Sequence, residues 1–271
     1  MLTLGLIADL HLGPPASHRG ARRKLSQLAP ELAGAFAARM RDVVRPDLVV
    51  NLGDVIEDDA PELDRQRYEQ GLGLLRAAGA PLVNVAGNHD RVHLGQAELR
   101  RAWGLEPEGE LYRSFDCGGA HFVVLYGHER KDRDVRLGEG QLRWLAADLG
   151  RTTLPTVVLM HHSAADQDLR GNRWFEGASH ICLVAERGEL RALVRASGRV
   201  VAVFCGHLHW NHLDLVDGIP YVTLQSPIEN INEDEPAVPA AAYAVVRLGD
   251  RRLHVEVLGA QPARYQFELG P

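Results

Sequence analysis

The stretch VVAVFCGHLH, residues 200–209, joins a short apolar run to a pair of histidines. Its first six residues are rich in valine, and such a short, continuous apolar run is typical of a strand that is buried on both faces. Gly206 ends the run, and His207 and His209 follow it. Side chains two residues apart on an extended chain point the same way, so we expect both histidines to bind at one metal site.

The same arrangement occurs four more times along the chain. Short apolar runs at residues 2–8, 48–52, 82–86 and 156–160 each end in a polar cluster. These clusters are Asp9-Leu10-His11, Gly53-Asp54, Gly87-Asn88-His89-Asp90 and His161-His162. Taken alone, each is more often a turn, a helix cap or a satisfied buried histidine. Because the carboxyl ends of parallel strands line the ligand crevice of α/β sheets, we expect all five clusters to converge.

Together the clusters offer a set of oxygen and nitrogen ligands that contains no thiolate. The set is Asp9, His11, Asp54, Asn88, His161, His207 and His209. Seven ligands are too many for one tetrahedral site, but they suit two divalent cations that share one carboxylate. Imidazole fits Zn, Mn or Fe and is a poor ligand for Ca. We therefore predict two divalent metal ions as cofactors, with Mn, Fe and Zn as the open choices.

The order of the remaining patterns predicts an α/β fold. Helical spacing of apolar residues at 25–43 and 62–78 separates the first three strands, which favours a parallel sheet with crossover helices. Later strands are typical of a hairpin and a meander. We predict one domain over residues 1–271, a four-layer α/β/β/α sandwich of two mixed sheets flanked by helices. In this prediction residues 1–211 form the metal-site core and residues 212–271 form a β meander that completes the second sheet.

Composition excludes several classes of protein. The 271 residues are 45% hydrophobic and 24% charged, and 30 Lys plus Arg against 36 Asp plus Glu give a net charge of −6. This balance is ordinary for a globular protein and argues against nucleic acid as a partner. No apolar run approaches the roughly 20 residues of a membrane span. Cys117, Cys182 and Cys205 are too scattered for a disulfide framework, so we expect a reduced, cytoplasmic protein.

The ordered clusters resemble those of the calcineurin-like metallophosphoesterase superfamily. The resemblance spans residues 3–209 with all five motifs intact, and the motif order and length are similar to those of small bacterial class III cyclic-nucleotide phosphodiesterases. It implies the same four-layer fold. It also implies two ligand sets that share Asp54 as a bridge: Asp9, His11 and His209 for one metal, and Asn88, His161 and His207 for the other.

The metals and the resemblance together predict a hydrolytic mechanism. Two cations would lower the pKa of a bridging water, and the resulting hydroxide would attack phosphorus opposite the leaving alkoxide. His89 matches the family's non-ligand histidine and would donate a proton or hydrogen bond to the leaving group. Asp90 is predicted either to orient His89 or only to cap the following turn. His162 is predicted to line the pocket or to pack behind it.

The predicted function is hydrolysis of a small, nucleotide-like phosphodiester such as a cyclic nucleotide. A phosphomonoesterase and a pyrophosphatase of the ADP-ribose or CDP-alcohol type share the motifs, so both alternatives stay open. A non-catalytic scaffold is disfavoured because it has no chemical need for seven intact ligands. A nuclease is disfavoured because the chain is acidic and has no basic face.

Loops around the crevice are expected to set the specificity. Arg91 and Trp174 are candidate substrate contacts, and the second lies in Asp166–Glu176, the best candidate for a substrate-covering loop. The basic loop Ser17–Lys24 either clamps a second phosphate or is simply solvated. The acidic segment Gln225–Pro239 either closes one end of the site or makes a subunit contact, which leaves the oligomeric state open.

Overall fold

The computed structural model describes residues 1–18, 20–232 and 236–269, which contain sixteen strands and six α-helices. The strands are β1 (Leu2–Ile7), β2 (Ala16–His18), β3 (Ala21–Lys24), β4 (Leu48–Asn51), β5 (Leu82–Asn84), β6 (Arg113–Cys117), β7 (Ala120–Val124), β8 (His128–Arg130), β9 (Asp134–Arg136), β10 (Thr156–Leu159), β11 (Val200–Cys205), β12 (His212–Val216), β13 (Ile219–Thr223), β14 (Tyr243–Leu248), β15 (Arg252–Leu258) and β16 (Ala263–Glu268). The helices are α1 (Ala29–Arg39), α2 (Pro61–Arg76), α3 (Asp90–His93), α4 (Gln96–Ala102), α5 (Glu139–Leu149) and α6 (Arg187–Ser197). None of the helices in these ranges is long and apolar enough to cross a membrane.

Two mixed sheets of six strands form the centre of the molecule. The first has the order β16-β15-β14-β1-β4-β5, in which β1, β4 and β5 are parallel and β14 to β16 form an antiparallel extension. The second has the order β12-β13-β11-β10-β7-β6, in which the four inner strands are parallel and both edge strands are antiparallel. The hairpins β2–β3 and β8–β9 stand outside the two sheets.

The two sheets pack face to face, and helices cover their outer faces. Leu6 of the first sheet and Phe204 of the second belong to one shared apolar core. Phe36 of α1 and Tyr68 of α2 pack on the outer face of the first sheet, and Leu145 of α5 packs on that of the second. All five side chains are buried, and each such burial contributes roughly 1.5–3 kcal/mol to folding. The predicted four-layer α/β/β/α sandwich is confirmed.

The strands after residue 211 divide between the two sheets, which corrects the prediction that residues 212–271 complete the second sheet. Only β12 and β13 join the second sheet, whereas β14 pairs antiparallel with β1 and brings β15 and β16 into the first. The reason is that alternating apolar residues specify which face of a strand is buried, but not which sheet edge it joins. The chain passes from the second sheet to the first between β13 and β14.

The parallel strands of both sheets end at one edge of the sandwich, where the polar clusters meet. The amide of Asp9 after β1 donates to the carbonyl of Gly53 after β4 at 2.9 Å, which joins two loops of the first sheet. The amide of Gly206 after β11 donates to the carbonyl of His161 after β10 at 3.0 Å. A further bond, 3.0 Å long, runs from the amide of His207 to the carboxylate of Asp9 and joins the two sheets. The expected convergence of the clusters is therefore confirmed.

Candidate metal centre

The backbone at the meeting point of the clusters has an uncommon conformation. Nine non-glycine residues in the described part of the chain have a positive φ, and five of them belong to the predicted ligand set: Asp9, His11, Asp54, His207 and His209, with φ between 47° and 66°. This left-handed conformation costs an L-residue roughly 1–3 kcal/mol, and such residues concentrate at functional sites. The sequence predicted an extended chain at His207 and His209, and this prediction is wrong because both residues have a left-handed backbone. The two side chains contact different ligands, because His209 Nε2 lies 3.0 Å from His11 Nε2 and His207 Nδ1 lies 3.3 Å from His161 Nε2.

Glycines in the same loops allow the ligand side chains to approach the backbone closely. A Cβ on Gly206 would lie 2.5 Å from the Asp9 carboxylate, and a Cβ on Gly87 would overlap the Asp54 carboxylate. Both positions therefore require glycine for steric reasons. The glycines that mark the sequence clusters make room for the two buried carboxylates.

Three side chains, Asp9, His11 and His209, form what we call the first cluster. Their candidate ligand atoms lie within 4.8 Å of one another, and all three residues are buried. The Nε2 atoms of His11 and His209 are 3.0 Å apart, and a carboxylate oxygen of Asp9 lies 3.7 Å from His209 Nε2.

The second cluster consists of Asn88, His161 and His207. His161 Nε2 lies 3.1 Å from Asn88 Oδ1 and 3.3 Å from His207 Nδ1. Asp54 stands between the two clusters, because its Oδ2 atom is 3.2 Å from His161 Nε2 and 3.7 Å from His11 Nε2. All seven predicted ligands are thus brought together.

The hydrogen bonds on the outer side of the rings determine what the inner nitrogens can do. His209 Nδ1 donates to a carboxylate of Glu229 at 3.0 Å, and His161 Nδ1 donates to the carbonyl of Leu52 at 2.8 Å. A neutral imidazole whose Nδ1 carries the hydrogen has a lone pair on Nε2. Both Nε2 lone pairs therefore point into the site, where His11 and Asp54 also offer acceptors. A group of acceptors that face one another suits a bound cation.

The electrostatics of the site favour positive charge. Burial alone would lower the pKa of His161, but the nearby charge of Asp54 raises it to about 10. Burial would raise the pKa of Asp54, yet the surrounding histidines, His161 above all, hold it well below its usual range. The negative charge of Asp54 thus favours a proton on His161. A cation bound at the same place would also be stabilised by the charge of Asp54.

His89 lies beside the ligands without belonging to either cluster. Its amide donates to Asp54 at 2.9 Å, and its Nδ1 pairs with the carboxylate of Asp58. Burial alone would lower the pKa of His89, but Asp54 and Asp58 raise it.

Asp90 does not have the predicted role of orienting His89. Its carboxylate accepts from the amides of Asp54, Val55 and Gly87 at 2.9–3.0 Å. Asp90 therefore holds the Asp54 and Asn88 loops together, and Asp58 is the carboxylate that contacts the His89 ring. Burial and the charge of Asp54 raise the pKa of Asp90 to about 7.

The candidate substrate contacts lie in three different surroundings. Arg91 lines a cavity of about 550 Å³ next to Asn88 and His89, and its Nε donates to Tyr126 at 3.3 Å. Trp174 lines a separate cavity of about 170 Å³ next to His209. His162 is buried, with its ring centroid 4.3 Å from that of His207, and neither of its ring nitrogens has a hydrogen-bond partner among the described residues.

Four further residues contact the ligand histidines or His89: Lys24, Glu57, Asp58 and Glu229. Lys24 and Glu229 belong to loops that the sequence predicted near the crevice, whereas the sequence did not single out Glu57 or Asp58. Lys24 is buried and donates to Glu57 at 2.7 Å, so it is neither a solvated basic residue nor free to clamp a phosphate. Glu229 lies in the acidic segment, which at this point closes one end of the site; Glu233, Asp234 and Glu235 of that segment, and Arg19 of the basic loop, lie outside the described residues. No periodicity or motif marks these residues, because each meets the site only through the fold.

Comparisons with known proteins agree with the geometry. The family model for calcineurin-like phosphoesterases matches residues 2–211. A probable cyclic nucleotide phosphodiesterase from Synechococcus is 28% identical over 249 residues, which cover 88% of this chain and 85% of that protein. A glycerophosphodiester phosphodiesterase from Enterobacter lignolyticus is 32% identical over 173 residues, 61% of this chain, and the match covers only 56% of that protein.

A solved structure with the same fold is a dimetal phosphatase from Danio rerio. The two chains superpose with a TM-score of 0.78 over 99% of each, at 18% sequence identity. At that identity the similarity establishes the fold alone. The match of the family model over most of the chain, on the same residues that carry the buried clusters, decides the family. The chain belongs to the calcineurin-like phosphoesterase family and is a metal-dependent phosphoesterase.

Proposed function

We propose that this chain is a dinuclear metal-dependent phosphodiesterase that hydrolyses a small, nucleotide-like ester. The observation that carries the proposal is the position of Asp54, whose Oδ2 atom lies between His11 of the first cluster and His161 of the second. A carboxylate in that position suits a bridge between two cations. Two ions acting on one phosphate are a common solution for phosphoester hydrolysis.

The proposed ligands follow the two clusters. Asp9, His11 and His209 would hold one ion, Asn88, His161 and His207 would hold the other, and Asp54 would contact both. The donor set contains only oxygen and nitrogen, which suits Mn, Fe or Zn. Divalent cations bound there would acidify water and neutralise charge on the phosphoryl oxygens.

His89 is proposed as the residue that protonates the leaving group. Its Nδ1 is engaged by Asp58, and His89 lines the large cavity, so Nε2 is the ring nitrogen proposed to donate the proton. The raised pKa of His89 keeps its ring protonated to higher pH than that of a free histidine. A positioned acid of this kind contributes roughly 10²–10⁴-fold to the rate.

The large cavity is the proposed place for the rest of the substrate. Its volume of about 550 Å³ is within the usual range of roughly 300–1,000 Å³ for small-molecule sites. Tyr126 supplies an aromatic face, and Arg91, His128 and Lys131 supply cationic or hydrogen-bonding groups. A diester is favoured because two curated relatives are named as phosphodiesterases.

The activity test uses metal-stripped protein that is reloaded with Mn²⁺. We expect bis(p-nitrophenyl) phosphate to be cleaved faster than p-nitrophenyl phosphate, and EDTA to abolish both reactions. Cyclic nucleotides, headgroup diesters and ADP-ribose-like pyrophosphates would then be compared. A preference for the monoester would contradict the proposed phosphodiesterase activity. If none of these esters is cleaved in a metal-dependent way, the proposal that the chain hydrolyses a small, nucleotide-like ester is wrong.

The cytoplasm is the proposed compartment. Cys117, Cys182 and Cys205 are all free thiols, and the last two are buried. Three reduced cysteines fit a reducing environment. Fractionation of cells that express the native gene would test this proposal.

A further inference from the structure

Two glutamates lie directly behind the histidines of the first cluster. Oε2 of Glu229 accepts from His209 Nδ1 at 3.0 Å, and Oε2 of Glu57 lies 2.8 Å from His11 Nδ1. Their side chains are 3% and 16% exposed. Because a carboxylate can only accept, Nδ1 of His209 carries the hydrogen. The Lys24 ammonium also lies 3.3 Å from Nδ1 of His11, but the Glu57 oxygen is nearer at 2.8 Å, so we place the hydrogen of His11 on Nδ1 as well. In a neutral ring each Nε2 then keeps its lone pair. The two Nε2 atoms are the ones that face each other at 3.0 Å.

The second cluster has a different surrounding. His161 Nδ1 donates to the neutral backbone carbonyl of Leu52 at 2.8 Å. Nε2 of His207 is buried and has no hydrogen-bond partner within the described ranges. Negatively charged oxygens therefore support the rings of the first cluster, whereas the two rings of the second cluster have at most a peptide dipole behind them.

Both glutamates are themselves held in place. The indole Nε1 of Trp174 donates at 3.0 Å to the same oxygen of Glu229 that accepts from His209. The amide of Ala240 donates to the backbone carbonyl of Glu229 at 2.8 Å. The ammonium of Lys24 donates to Glu57 at 2.7 Å and lies 5.4 Å from the Trp174 ring centroid. The loop of residues 166–176 and the β2–β3 hairpin thus both contact the groups behind the first cluster.

We propose that Glu57 and Glu229 are positioning residues that fix the rings of His11 and His209 and so strengthen cation binding by the first cluster alone. The inference rests on the proposed function, because it presumes two bound ions. A carboxylate behind a ligating imidazole fixes its tautomer and raises its basicity, and loss of such a partner typically costs 10–100-fold in metal affinity. Because the ligand histidines that the two glutamates contact in the described chain both belong to the first cluster, removing these glutamates should weaken the binding of only one of the two ions.

The test compares Glu229→Gln with wild type and with Glu139→Gln. Glutamine keeps an oxygen that can accept from His209 but removes the negative charge. Glu139 has a side chain that is 90% exposed and pairs only with Arg143 among the described residues, so it is a matched control. Metal-stripped proteins are titrated with Co²⁺ and with Mn²⁺, and the bound ions per chain and the Co²⁺ d–d absorption are recorded.

We expect wild type and Glu139→Gln to bind two ions, and Glu229→Gln to bind one ion normally and the other 10–100-fold more weakly. The absorption of the weakened Co²⁺ ion should also change, which a general loss of structure would not produce for one ion only. Unchanged affinities, or equal weakening of both ions, would overturn the inference and leave the proposed function intact. A wild type that binds no divalent ion would overturn both. If Glu229→Gln does not fold, Glu57→Gln gives the same test at His11, because the side chain of Glu57 is less buried than that of Glu229.

Discussion

Histidine and aspartate side chains meet at two opposite edges of the sandwich, and of these two groups only one is built to bind metal. At the far edge, where β7 begins, His121 pairs through Nδ1 with Asp116 at 2.6 Å and through Nε2 with Asp148 at 2.9 Å. Each ring nitrogen there faces an acceptor, so a protonated imidazole satisfies both. In the metal centre His11 and His209 instead face each other through Nε2 at 3.0 Å.

The difference shows how a structural histidine can be separated from a ligand histidine. Burial does not separate them, because His121 and His209 are 7% and 6% exposed. The composition of the surroundings does not separate them either, because both groups contain aspartate. What differs is whether donors and acceptors match within the protein. Where acceptors face one another, a cation supplies what is missing.

The largest expected effect follows from removing the residue between the two clusters. Asp54→Ala should lose metal binding and activity together, because its carboxylate reaches His11 of one cluster and His161 of the other. Activity should fall to the level of EDTA-treated wild type. Metal content by elemental analysis and initial rates on bis(p-nitrophenyl) phosphate check the prediction. Full activity with fewer than two ions per chain would show that the bridge is not needed.

The next effect separates chemistry from metal binding at the same edge. His89→Ala should keep both ions and slow turnover by roughly 10²–10⁴-fold, because it removes the proposed acid and no ligand. The control is Val92→Ala, an exposed residue of α3 that lines the same cavity. Loss of either ion from His89→Ala would contradict the role given to His89.

The sequence predicted which residues form the ligand set, but not the backbone conformation and the tertiary contacts that position them. Apolar runs followed by polar clusters identified the strand ends, because burial on both faces leaves a clear pattern. The left-handed backbone at His207 and His209 was not predicted, since only the folded loops force it. Glu229 follows His209 by 20 residues in the chain, and its role depends on how the chain folds back onto His209 after β13. The placement of β14 to β16 was missed for the same reason, because edge pairing is decided by tertiary contacts.

A smaller effect should follow from the carboxylate that contacts His89. Asp58→Asn removes a charged hydrogen-bond partner of His89 Nδ1 without touching either cluster. A hydrogen bond to a charged group is worth roughly 1.5–3 kcal/mol, so kcat should fall by about tenfold or more. Asp90→Asn serves as the comparison, because the Asp90 carboxylate accepts from backbone amides and does not hydrogen-bond to the His89 ring. This substitution should lower the free energy of unfolding and leave kcat of the folded protein nearly unchanged. Equal kcat for Asp58→Asn and wild type would remove Asp58 from the mechanism.

The smallest effect is expected at the far edge, where no activity should change. Burial alone would lower the pKa of His121, but its hydrogen bonds to Asp116 and Asp148 raise it above 6.5. A pKa that is raised by folding stabilises the protein fully below the unfolded pKa of 6.5, and this contribution is lost as the pH rises through the folded pKa. His121→Gln should therefore lower the free energy of unfolding by about 1–2 kcal/mol at pH 6 and by less at pH 9.

Urea denaturation of the metal-free proteins at both pH values measures this difference directly. His254→Gln, at a partly buried position of β15, is the control for replacing a histidine by glutamine. The catalytic rate of His121→Gln should equal that of wild type, because the residue lies at the edge opposite the metal centre. If His121→Gln loses metal, or if its destabilisation grows with rising pH, then His121 is not a purely structural histidine whose two nitrogens are satisfied by Asp116 and Asp148.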